Sequence, residues 1–143
     1  MIDAEGCFER GLLRKISPSR DLALKSLKHA DFFLKEARDM IRIGKDEMAV
    51  IALYNAFFHT ARALLFRDGV KERSHFCLAR YIEELYVSKK KLDSVFLDHL
   101  DVIRDLRHEA QYSLSKVVIK EDLAGSCRVC GEFIERVSEL IKG

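Results

Sequence analysis

Proline occurs once and glycine seven times in 143 residues, which leaves little turn chemistry for a many-stranded β fold, whose hairpins draw on Gly, Asn and Pro. An all-helical protein is favoured. Cysteine is also sparse: Cys7, Cys77, Cys127 and Cys130 are too few and too scattered for a secreted disulfide framework. A reducing, cytoplasmic setting is therefore the expectation. An excess of one charge is missing as well, since 25 Lys+Arg face 23 Asp+Glu for a formal net charge of +2. No global field gathers polyanions, and any nucleic-acid contact must be local. The opening MIDAEGCFERG carries acidic residues and no apolar run, unlike a signal peptide or anchor. There is no Gly-rich phosphate loop, no G-x-S-x-G and no H-E-x-x-H, so no cofactor and no metal centre is expected.

What is present suits a packed globular chain: 48% hydrophobic and 34% charged residues, with length enough for one domain over 1–143. Residues 1–19 read as an N-terminal arm, with a short helix of its own as one option, and 20–143 as the bundle. Ala23, Leu27, Ala30, Leu34, Ala37 and Ile41 mark one helix face up to Gly44, with Ser17, Pro18 and Ser19 suited to its start. From Met48 to Phe66 polar side chains are few, which predicts a central helix buried on more than one side. A membrane span is disfavoured there because Asn55, His59 and Arg62 would be costly in lipid. Its small residues Ala49, Ala52, Ala56, Thr60 and Ala63 predict close helix packing within or between chains.

Asp68-Gly69 ends that helix, and a charged connection from Val70 to Arg73 leads to Ser74, the expected N-cap of a third helix reaching Val87. Lys89, Lys90 and Lys91 then read as a solvated turn in preference to a phosphate patch. Leu92, Phe96, His99, Ile103, Leu106 and Ala110 mark a fourth helix to about Tyr112. After a break over 113–120, Leu123, Cys127, Cys130, Ile134, Val137 and Ile141 mark a fifth. The expected architecture is an up-and-down antiparallel bundle of about five helices.

Cys127 and Cys130 form a CxxC, but no second ligand pair accompanies them and both lie on the apolar stripe of the last helix, so they read as core residues. His29, His75 and His99 stand without a neighbour in a recognisable catalytic spacing. Glu83-Glu84 and Asp98 with Asp101 fall on solvent faces, where helix salt bridges account for them.

The stretch Arg104-Asp-Leu-Arg107-His108-Glu-Ala-Gln-Tyr112 is different. At 100° per residue, Arg104, Arg107, His108, Gln111 and Tyr112 share an arc of about 140° that diverges from the core stripe. Arginine clamps a phosphodiester through two parallel hydrogen bonds, and histidine moves protons near neutral pH. The competing account is an exposed face whose arginines are tied to Asp105 and Glu109.

With those residues placed, the chain resembles the HEPN family (higher eukaryotes and prokaryotes nucleotide-binding domain), especially its small stand-alone prokaryotic members. The resemblance is carried by Ser26-Leu-Lys-His-Ala30, Tyr54-Asn-Ala-Phe-Phe-His-Thr-Ala-Arg-Ala-Leu-Leu65, Ser74-His-Phe and Arg107-His-Glu-Ala-Gln-Tyr112. It implies a helical bundle that homodimerises, is encoded beside a minimal nucleotidyltransferase as a toxin–antitoxin pair, and binds nucleotide or RNA. Many members are metal-independent ribonucleases whose motif is an Arg, a polar residue and then a His a few positions on, paired across the dimer cleft. Here Arg107 matches the arginine and His108 the polar position, while Tyr112 stands where the histidine falls. The resemblance therefore implies a binding module using Arg104, Arg107 and Gln111. The alternatives are an endoribonuclease with Arg107, His108 and Tyr112 as catalytic residues, or a dimerising scaffold without ligand.

Overall fold

The structure, a computed structural model, describes residues 2–115 and 119–143. In chain order it forms α1 (Ala4–Glu9), β1 (Leu13–Lys15), α2 (Arg20–Arg42), α3 (Asp46–Asp68), β2 (Val70–Glu72), α4 (His75–Ile82) with a π-helical turn over Glu83–Val87, α5 (Val95–Tyr112) and α6 (Leu123–Lys142). Four of the helices open on a side-chain cap that satisfies a free first-turn amide, α1 through Asp3, which accepts from the Gly6 amide at 2.9 Å. Ser19 accepts from the Leu22 amide at 3.0 Å, Ser74 from Cys77 at 3.3 Å and Asp122 from Gly125 at 2.9 Å. Gly44 and Gly69 follow α2 and α3 with φ of 75° and 78°, the left-handed conformation that glycine supplies without a Cβ penalty.

The α2–α3 hairpin is the frame, α6 packs on both of its helices, and α5 packs chiefly on α3. The α2 stripe is buried as its spacing predicts, from Ala23 to Ala37. Along α3, Ala49, Ala56, Thr60 and Ala63 are buried and take neighbouring helices at close range, whereas Ala52 is half-exposed. Fully burying large side chains such as Leu53, Phe57 and Leu64 contributes roughly 1.5–3 kcal/mol apiece. By length and composition α3 could cross a membrane, yet 67% of its apolar window lies inside the bundle. Cys127 and Cys130 are free and buried, with burial raising both thiol pKa values. They pack as small hydrophobes, as their place on the α6 stripe predicts.

The N-terminus departs from the expected picture. Among the described residues there are six α-helices where about five were expected, the short N-terminal option being realised as α1, and the segment 2–19 is tied to the core through buried Ala4, Cys7 and Leu13. The connection expected over Val70–Arg73 holds strand β2, which pairs antiparallel with β1 in the register Leu13↔Glu72, Arg14↔Lys71 and Lys15↔Val70. Three-residue strands are too short to show alternation, so their pairing carries no sequence signal. Cys7 and Cys77 form a disulfide with Cα atoms 5.9 Å apart, which joins α1 to α4. Four scattered cysteines argue against a multi-bridge framework and still leave room for this one bond. The Lys89–Lys91 turn is exposed, and its last carbonyl accepts from Arg136 Nε and Nη2 at 3.1 and 2.9 Å. The break after α5 lies partly at 116–118, outside the described residues.

Candidate functional site

Helix α5 buries Phe96, Leu97, Leu100 and Ile103 against the bundle. Its last turns run past that contact: Leu106 and Ala110, expected to continue the core stripe, are only half-buried. Arg104, Asp105, His108, Glu109, Gln111 and Tyr112 are consequently exposed, with Tyr112 at 64%. An open depression of about 440 Å³ beside this stretch is lined by Arg104, Asp105, Arg107, His108 and Glu109.

Arg107 is the member of the face that the fold holds. It is half-buried, and its guanidinium carbon lies 4.3 Å from the centre of the Tyr54 ring on α3, within cation–π range. Its Nη1 donates to Gln111 Oε1 at 3.0 Å, one turn further along α5. Its Nε is closed off from solvent and meets no acceptor among the described residues. Neither Arg104 nor Arg107 is paired with Asp105 or Glu109 among the described residues, where the ion pairs lie elsewhere. The account in which these carboxylates neutralise the face is thereby corrected: at separations of one, two or five positions the side chains diverge around the helix. His108 and Tyr112, one turn apart, have ring centres 4.9 Å apart.

A second layer supports the face from beneath. Tyr54 Oη lies 3.3 Å from His75 Nδ1, and His75 Nε2 lies 3.3 Å from Asp101 Oδ1. One neutral tautomer satisfies both contacts, with the phenol donating to Nδ1 and the Nε2 proton donated to the carboxylate. Burial raises the Tyr54 pKa; the nearby charges of Arg107 and Arg104 oppose that rise and Glu72 adds to it. The phenol therefore stays a neutral donor at physiological pH. Buried Glu72 on β2 lies 2.9 Å from Arg62 Nε, and Arg62 is itself stacked between Phe58 and Phe66 at 5.4 and 5.2 Å.

Sequence reasoning missed Tyr54, Glu72, His75 and Asp101 as neighbours of the face. His75, read as lacking an acidic partner, has one in Asp101; they lie 26 positions apart, on different helices. Asp101 is exposed as expected but bonds across to α4. The one local signal was Ser74-His75, since a cap residue fixes where the following side chain points. The other histidines sit elsewhere. His99 stacks near Phe57 on one side and faces Ser126 Oγ at 3.4 Å. His29 meets His59 edge-on at 4.8 Å. Among the described residues no three His, Cys, Asp or Glu side chains are grouped to hold a metal ion.

Chemically, the face offers two cationic groups without carboxylate partners among the described residues, one of them oriented, beside an exposed imidazole and an exposed phenol. That combination suits a phosphate-bearing ligand. A family model described as HEPN domain matches residues 23–142, which spans α2 to α6. Among curated proteins none matches the chain.

Proposed function

The chain belongs to the HEPN domain family, helical modules concerned with nucleotides and RNA, and from that membership we propose that it binds RNA or a nucleotide through the exposed face of α5. Arg104 and Arg107 take the phosphate and Gln111 keeps Arg107 in place. It acts as a homodimer with a minimal nucleotidyltransferase partner, in the manner of a toxin–antitoxin component. The observation that carries the reading is the Arg107 guanidinium, seated on Tyr54 and without a carboxylate partner among the described residues. A cation already oriented and not internally neutralised binds an anion without first breaking a salt bridge. The homodimer is supported by Phe32 on α2 and Met48 on α3, each 53% exposed at the rim of one apolar groove.

A second reading, a metal-independent endoribonuclease, is favoured by the His108–Tyr112 contact on the same face. In such a reaction the ribose 2′-oxygen attacks the adjacent phosphorus and the P–O5′ bond breaks. A 2′,3′-cyclic phosphate and a 5′-hydroxyl result, with His108 or Tyr112 carrying the proton and Arg107 stabilising charge on the phosphoryl oxygens. Tyrosine, with an unperturbed pKa of about 10, shuttles protons poorly at neutral pH, so binding without cleavage is the main reading.

The test is fluorescence anisotropy with a labelled single-stranded oligoribonucleotide in chelator, followed by end-group analysis of the RNA. Binding that Arg107→Ala weakens about tenfold or more, with the RNA intact, supports the module. Cyclic-phosphate ends lost in Arg107→Ala establish the ribonuclease instead. Binding indifferent to Arg107→Ala leaves only the scaffold.

A further inference from the structure

Asp101 and Arg107 stand on the same helix, yet the contacts that join them leave it: Asp101 to His75 on α4, His75 to Tyr54 on α3, and Tyr54 back to Arg107 on α5. We infer that Tyr54, His75 and Asp101 are positioning residues, a closed relay across three helices that fixes the Arg107 guanidinium for its ligand.

A guanidinium resting on an aromatic face is free to slide and turn over it, because the ring quadrupole attracts charge with little preference for direction in the plane. Holding it therefore requires two further constraints. The first is on the ring. In the neutral tautomer that fits both contacts, His75 Nδ1 accepts from the phenol and Nε2 donates to Asp101, each at 3.3 Å, so ring and imidazole support each other. The second is on the guanidinium itself, where Gln111 Oε1 takes Nη1 at 3.0 Å. Nε is buried and without an acceptor among the described residues, so the guanidinium meets a phosphate through its terminal nitrogens. Gln111 thus holds Nη1 and leaves Nη2 as the terminal donor for a phosphate.

The relay also gives His75 and Asp101 work that ordinary stability does not require. Asp101 is mostly exposed while its partner His75 is mostly covered; a contact with one member in solvent is screened by water and contributes modestly to folding. The use of this holding for RNA rests on the phosphate-binding reading above, but the holding itself has its own readout.

Two measurements separate them. In ¹⁵N-labelled protein, the Arg107 Nε–H resonance, assigned by its loss in Arg107→Lys, should be shifted upfield by the Tyr54 ring and slow to exchange. Asp101→Asn and Tyr54→Phe should move that resonance and speed its exchange, with helical content and melting temperature held; an unchanged resonance in both overturns the relay. The second measurement is affinity for a labelled oligoribonucleotide. Removing the Asp101 charge would tighten RNA binding if bulk electrostatics ruled. The relay requires the opposite sign: about threefold to tenfold weaker binding in Asp101→Asn and in Tyr54→Phe, at unchanged salt dependence. Tighter binding by Asp101→Asn overturns the relay's role toward the ligand. If Arg107→Ala leaves RNA binding unaltered while the resonance still responds to Asp101→Asn, the phosphate reading fails and the relay stands.

Discussion

The Arg107 guanidinium lies 4.3 Å from the centre of the Tyr54 ring, a contact between α5 and α3 that turns one residue of an exposed helix face into an oriented cation. Its neighbour Arg104 is exposed. The two arginines should therefore differ in how much a ligand depends on their shape and on their charge alone.

Arg107→Lys keeps the charge and loses the fork. A compact ammonium cannot take Gln111 at one edge and a phosphate at the other, and it stacks less well on the ring. RNA affinity should fall by about 1–2 kcal/mol, on the scale of a cation–π contact. Arg104→Lys should change affinity by less than half of that. Equal losses in anisotropy titrations would show that Tyr54 confers nothing on Arg107.

His59 sets a pH dependence of stability. Burial, then His29, then Arg62 lower its pKa from 6.5 to about 4. Between these values the unfolded chain binds a proton that the folded chain refuses, so stability falls with pH. The contribution is complete above pH 6.5 and is lost progressively as pH drops toward 4; solvent screening of this half-buried ring moderates its size. Melting temperatures of wild type and His59→Gln measured from pH 7 to 4 should converge as the wild-type slope is removed.

Gly69 and Gly44 share a positive φ but not their surroundings. A Cβ on Gly69 would sit 2.7 Å from Ile16 O and 2.8 Å from Pro18 Cγ, while one on Gly44 would meet nothing within 4 Å. Gly44→Ala should cost about 1 kcal/mol, the backbone penalty alone. Gly69→Ala should cost at least about twice as much, because the N-terminal segment must move off α3. Urea denaturation of the two variants compares them directly.

The Cys7–Cys77 bond closes a loop of 70 residues. Loop-entropy arithmetic assigns such a closure up to about 4 kcal/mol. Reduction with a phosphine should lower the melting temperature and speed proteolysis within residues 1–19. Cys7→Ser should reproduce both effects and make reduction silent. An unreduced protein that melts like the reduced one would deny the bond any part in stability.

Legibility from sequence followed the range of the interactions. The α2 stripe, the buried α3, the Ser19 and Ser74 caps and the Arg104–Tyr112 face were all readable, because helical period and capping act within a few residues. His75 and Asp101 were not, since nothing local to either reveals the other. The same holds for β1 with β2 and for Cys7 with Cys77, pairs that exist only after the chain has folded back on itself.

By composition, period and capping, these 143 residues settle a mostly helical bundle with α3 at its centre and a polar, arginine-bearing surface late in α5. Apolar spacing alone decides which face of each helix leaves water. Tertiary structure decided what that surface can do. It brought an aromatic ring under Arg107 and tied its support to two other helices, because cation–π and hydrogen-bond contacts depend on three-dimensional distance, which the order of residues does not specify.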